Sequence, residues 1–133
     1  MTISIEEIEI ALGEYLVEMD DVPPIAWQNK TADPARPFLA VDHVPGPRTD
    51  PTLNGDGETV IGQLMIYVVI KGNTFTKPAN MLADKVMQHF KYTTLISLEE
   101  GGILIVKPPE VLPGYKDGPD WRVPVRIDYA IQT

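Results

Sequence analysis

The sequence predicts an α+β fold: a mostly antiparallel β-sheet of about four strands with two helices packed on one face, in the order α-β-β-α-β-β. Two segments repeat apolar residues every three or four positions, the period of an amphipathic helix, and four others are apolar in runs or in alternation, the mark of strands. The segments show no internal repeat and no regular βαβ alternation, which points away from a parallel sheet.

The first helix is predicted over 5–19. Ser4 and Glu7 have the spacing of a capping box, and Ile5, Ile8, Leu12, Tyr15, Leu16 and Met19 then share a face. Asp20, Asp21, Pro23 and Pro24 stop it, and Trp27, in the short apolar segment Ile25-Ala26-Trp27, is expected to pack under a loop. A strand follows from Pro37 to Val44, closed by Pro45-Gly46-Pro47. From Pro45 to Thr59 the chain is a long polar stretch of Pro, Gly, Asp, Asn and Thr, read as a loop; loops of this length tend to be functional or disordered.

Val60 to Ile70 is the strongest strand, apolar on both faces and therefore central or covered twice. Leu64, Ile66, Val68 and Ile70 form one face, Met65, Tyr67 and Val69 the other. The second helix is predicted over 76–91 from Ala79, Leu82, Ala83, Val86 and Phe90, with Pro78 tolerated in the first turn. Gly101-Gly102 makes a hairpin turn into a strand at Ile103 to Val106, whose end Pro108 and Pro109 restrict. In the closing stretch, Trp121, Val123, Val125, Ile127, Tyr129 and Ile131 alternate with Arg122, Pro124, Arg126 and Asp128, so an apolar face should pack on the helices and leave a polar one. Pro124 cannot donate to a ladder and is expected at an edge or a bulge.

At 133 residues the chain is the size of a single domain spanning 1–133, able to bury roughly two thirds of its unfolded surface without a staple. The absence of Cys excludes disulfides, thiolate nucleophiles and Cys-based metal sites. The N-terminal stretch carries Glu at five positions and lacks the basic start of a signal peptide, and no run reaches the ~20 apolar residues of a membrane helix, so a soluble cytosolic chain is expected. A net charge of −8, with 11 scattered basic residues, argues against a dedicated nucleic-acid binder.

Tests for chemistry come back empty. Aligning Asp50 as the first position of an EF-hand puts Gly55 correctly at the sixth, but Thr52 and Ile61 fall where oxygen ligands are needed, leaving a solvated loop with turns at Asn54-Gly55 and Asp56-Gly57. His43 and His89 form no metal-binding spacing, and Asp42 points to the strand face opposite His43. His43 is read as a surface residue near a strand end, and His89 as a helix C-terminal residue suited to the dipole. The pairs Asp20-Asp21 and Glu99-Glu100 read as solvated ends, Gly101-Gly102 lacks any phosphate-loop context, and Met65, Met81 and Met87 read as core fillers. No catalytic residue, cofactor or metal is assigned, and the chain is read as no enzyme.

Taken together, Pro23-Pro24-Ile25-Ala26-Trp27-Gln28-Asn29 after a helix, the strand Gly62 to Val68, the helix with Ala79, Leu82, Ala83, Asp84, Lys85, Val86 and Phe90, and the closing Trp121 to Tyr129 resemble the tail terminator-like proteins of tailed phages. The resemblance spans almost the whole chain through segment order and a few residues. It implies a small α+β virion subunit that assembles, in the host cytoplasm, into a homo-oligomeric and usually hexameric ring on the last ring of the tail tube protein. There it would stop tube polymerisation and present a surface to the head–tail connector protein, with DNA passing through the lumen unbound. The loop at 45–59 is longer and more polar than the family pattern. Candidate intersubunit or partner contacts are Met65, Tyr67, Arg122, Arg126 and Asp128 on the second sheet face, with Arg48, Asp50 and Asp56 in the loop. The residues alone leave open a different head–tail completion or tail assembly protein, and a small enzyme.

Overall fold

The computed structural model describes residues 4–28, 30, 33–49, 59–99 and 101–132. Helix α1 (Ile5–Val17) begins at Ser4, whose hydroxyl accepts a hydrogen bond from the Glu7 backbone N–H at 3.0 Å and so satisfies one of the orphan donors of the first turn. Helix α2 (Lys77–His89) begins at Thr76 without a side-chain cap, with Pro78 in the turn where no N–H is required. The helices bury Ile8, Leu12 and Leu16, and Ala79, Ala83 and Val86. A reciprocal clasp joins them: the Tyr15 hydroxyl donates to the His89 carbonyl at 2.6 Å, His89 Nε2 reaches the Tyr15 carbonyl at 2.6 Å, and the two rings stack.

Among the described residues the strands are β1 (Ile25–Ala26), β2 (Phe38–Thr49), β3 (Thr59–Lys71), β4 (Leu95–Ser97), β5 (Gly102–Ile105), β6 (Glu110–Val111), β7 (Tyr115–Asp117) and β8 (Asp120–Gln132). They form one 8-stranded sheet ordered β1-β2-β3-β8-β5-β4, in which β6 and β7 also pair with β8. β1 runs parallel to β2, and the remaining pairs are antiparallel. The protein is therefore mostly β, with a mixed sheet of 8 strands, and the expected four-stranded α-β-β-α-β-β arrangement is incorrect.

The discrepancy has physical causes. β1, β4, β6 and β7 are two or three residues long, too short for alternation to show. Pro45-Gly46-Pro47 does not close β2. The register against β3 shifts between Pro45 and Arg48 and pairing resumes at Arg48↔Val60 and Thr49↔Thr59, so both ends of the expected 45–59 loop are strand. Gly46 permits the crossing, since a Cβ there would stand 2.1 Å from the Ile61 carbonyl oxygen. Pro45 sits beyond the end of β1, and its nitrogen points away from β3 as those of Leu39 and His43 do, so a missing N–H there breaks no ladder.

Pro124 is also not at an edge or bulge. β8 pairs with β3 without a break from Lys71↔Asp120 to Thr59↔Gln132, and on its other side with β7, β6 and β5 in turn. The Pro124 carbonyl accepts from Leu112 N–H at 2.9 Å; the N–H and C=O of one residue in a strand point to the same side. The missing donor therefore faces the interruption between β6 and β7, not β3.

Alternation places Val60, Leu64, Ile66, Val68 and Ile70 of β3 and Val123, Val125, Ile127, Tyr129 and Ile131 of β8 in one core cluster with the buried faces of both helices. The opposite sheet face is open in part.

Candidate assembly surfaces

On that outer face the register lines up Asp42, Met65 and Arg126, then Ala40, Tyr67 and Pro124, then Phe38, Val69 and Arg122 across β2, β3 and β8. Met65 and Tyr67 are half-buried, and the Arg122 guanidinium lies 5.9 Å from the Tyr67 ring centroid. Burial, with Asp42 and Tyr115 nearby, pushes the Tyr67 phenol up and keeps it protonated. Both candidate arginines of this face have carboxylate partners within the chain: Arg122 Nε donates to Asp117 of β7 at 2.7 Å, and Arg126 Nη2 to Glu110 of β6. Asp128 accepts from Gln63 Nε2 at 3.1 Å and lies 3.4 Å from Lys107 Nζ. The second carboxylate oxygen of Asp128 also stands 3.5 Å from Arg126 Nε, at ion-pair distance but outside hydrogen-bond geometry. The structure thus brings Met65, Tyr67, Arg122, Arg126 and Asp128 together on one face. Arg48 is exposed on the far arm of β2, and Asp50 and Asp56, with the expected turns at Asn54-Gly55 and Asp56-Gly57, lie outside the described residues.

At the end of the same face the polar pattern gives way. Leu95 and Leu104 are cross-strand partners at 66% and 41% exposure, Leu104 pairs with Ala130, and Ala130 with the exposed Ile61. This apolar row crosses four strands.

A second feature lies beneath α1. Ile10, Gly13 and Val17 follow one another at helical spacing on a face that α1 does not turn to the core, and Trp27 packs beside them, on Gly13 instead of under a loop. With Val41 and Leu64 they line a groove of about 420 Å³ whose acidic residues are Glu9 and Glu14. His43 closes its floor. Contrary to the surface position expected for it, His43 is buried at 5% exposure, because β2 continues past it and α1 covers it. Its Nδ1 lies 3.0 Å from Glu9 Oε1, its Nε2 contacts the Tyr129 hydroxyl, and its backbone N–H donates to Gln28 Oε1 at 2.7 Å. Gly62 makes room for that hydroxyl, since a Cβ there would stand 2.4 Å from it. Burial pushes the Tyr129 phenol up to about 12, so its hydroxyl stays protonated near neutral pH and serves as a hydrogen-bond donor in this Glu–His–Tyr chain.

Two signals for this groove were present in the sequence. Ile10 and Val17 are apolar positions left over once the core stripe of α1 is assigned, and a tryptophan directly follows the helix stop. Among the described residues no group of three His, Cys, Asp or Glu side chains could hold a metal ion, and no helix is long and apolar enough to cross a membrane.

Comparison with known proteins adds a family. The family model described as phage tail terminator protein matches residues 7–129. One solved structure superposes on 99% of this chain and 98% of its own with a TM-score of 0.81 at 20% identity. Another, a chain from the virion of a native gene transfer agent particle, covers 96% of both chains with a TM-score of 0.60 at 11% identity. At these identities the two structures bear on the fold alone. A search of curated proteins found no match.

Proposed function

We propose, on the premise that this chain belongs to the phage tail terminator family, that it closes the tail tube as a ring, ends tube polymerisation and carries the surface on which the head connector seats. Family membership itself gives a structural role in the virion tail. The single observation that carries the finer reading is the family match across residues 7–129.

In this reading the whole chain, 1–133, acts as one domain and as one subunit of a homo-oligomeric, hexameric ring, assembled in the host cytoplasm and retained in the virion tail. The outer sheet face with Met65, Tyr67, Arg122, Arg126 and Asp128 is an intersubunit or partner surface, and Arg48, Asp50 and Asp56 contact the tube or the connector. A net charge of −8 suits a lumen through which DNA slides without being held. Light scattering on the purified protein, with electron microscopy of tails assembled with and without it, tests the proposal. Tails of uncontrolled length are expected without it; tails of normal length would refute the terminator role.

A further inference from the structure

Phe75 is 90% exposed, well beyond the 66% of Leu95, the next most exposed large apolar side chain among the described residues. Its exposure is not that of a frayed end. The turn between β3 and α2 is pinned where Gly72 N–H donates to the Pro119 carbonyl at 2.8 Å and the Thr74 hydroxyl donates to the Lys71 carbonyl at 2.6 Å, and Asn73 adopts a left-handed φ of 58°. An aromatic ring is thus presented on a fixed turn between two exposed lysines, Lys71 and Lys77. In a chain with 19 acidic and 11 basic residues this is a local reversal of charge.

The α1 groove has the opposite character. Its apolar lining includes Ile10, Val17 and Trp27, exposed at 51%, 47% and 38%, its acidic residues are Glu9 and Glu14, and among the described residues no Lys or Arg lines it. We infer that Phe75 of one copy seats in the α1 groove of the next, with Lys71 and Lys77 facing Glu9 and Glu14. This deepens the ring reading and rests on it. Knob and groove are different patches of one subunit, so the contact is heterologous and repeats with one rotation, the type of interface a closed ring requires. A desolvated aromatic anchor in a pocket, inside a polar rim, is also a form that interface hot spots take, and opposed charges at the rim set which surfaces meet. The occupant is a second copy because the complementary shape and charge are both carried by this chain.

The absence of cysteine makes the contact addressable. In the full chain, Val17→Cys combined with Thr76→Cys, which keeps the Phe75 ring and puts the thiol on the exposed residue beside it, should give, on oxidation of the assembled protein, a ladder of covalent multimers on a non-reducing gel, whereas either substitution alone should stop at dimers. Phe75→Ala should weaken self-association at least tenfold and leave the monomer's unfolding unchanged, since the ring touches little of its own subunit. Lys77→Glu should weaken assembly and Glu14→Lys in the same chain should restore it. A ring that forms without a ladder and is indifferent to Phe75→Ala would overturn the seam and leave the ring reading standing. Rings of Phe75→Ala that form normally but fail to cap tails would move the contact to a tail partner and also overturn it. A protein that is monomeric in solution and on tails would overturn both.

Discussion

His43 and Tyr129 form a buried polar contact in which both imidazole nitrogens have a partner. A neutral imidazole protonated on Nδ1 satisfies every group in the chain: it donates to Glu9 Oε1 and accepts the phenolic proton at Nε2. Removing the hydroxyl strands a buried nitrogen, so Tyr129→Phe should cost about 1–3 kcal/mol near neutral pH. The alkaline limb offers a cleaner test. The folded phenol titrates at about 12 against an ordinary 10.0, so the native state keeps a proton that the unfolded chain releases first. That contribution is complete below pH 10 and is lost as pH rises through 12. Urea unfolding between pH 9 and 11.5 should show a shallower fall for Tyr129→Phe than for the unsubstituted protein; equal slopes would contradict the assignment. Alternation in the sequence placed Tyr129 on the core face, but it could not reveal His43. That residue's burial depends on α1 lying over a strand that appeared to end at Pro45.

At the scale of elements, what could be read depended on length. α1 and α2 end one or two residues from where the apolar period runs out, and β3 and β8, each spanning more than three full alternations, were readable with their faces correctly divided. The short β6 and β7 were not, and they supply Glu110 and Asp117. The sequence therefore showed which arginines share the outer face while concealing that carboxylates of the same chain already meet them. β2 misled for a different reason: Pro and Gly punctuate most chains, yet here they build a bulge. Gly46→Ala tests that reading. The added carbon would press on backbone at Ile61, which cannot rotate away as a side chain would, so a loss of about 1–3 kcal/mol is expected from a urea midpoint at constant slope. An unchanged midpoint would mean that the arms of the hairpin are not held in this register.

For the molecule as a whole, charge and assembly pull in opposite directions. Each copy carries a net −8, so copies repel, while the proposed seam sets two lysines against two glutamates at contact distance. Salt separates these effects because their ranges differ. A chain of this length has a radius of gyration of about 14 Å. At ~0.01 M ionic strength the Debye length is about 30 Å and repulsion acts across an entire neighbour, but at ~0.15 M it shrinks to about 8 Å and only charges near the seam still interact. Near 1 M it falls to about 3 Å and the lysine–glutamate attraction is screened as well, although burial of Phe75 is not. Self-association followed by light scattering should therefore strengthen from 0.01 M to 0.15 M salt and weaken again toward 1 M, with Lys77→Glu abolishing the second phase and sparing the first. A fall across the entire range would mean that local attraction outweighs the net charge even at low salt. A steady rise in the unsubstituted protein would mean that no opposed charges meet where the copies touch.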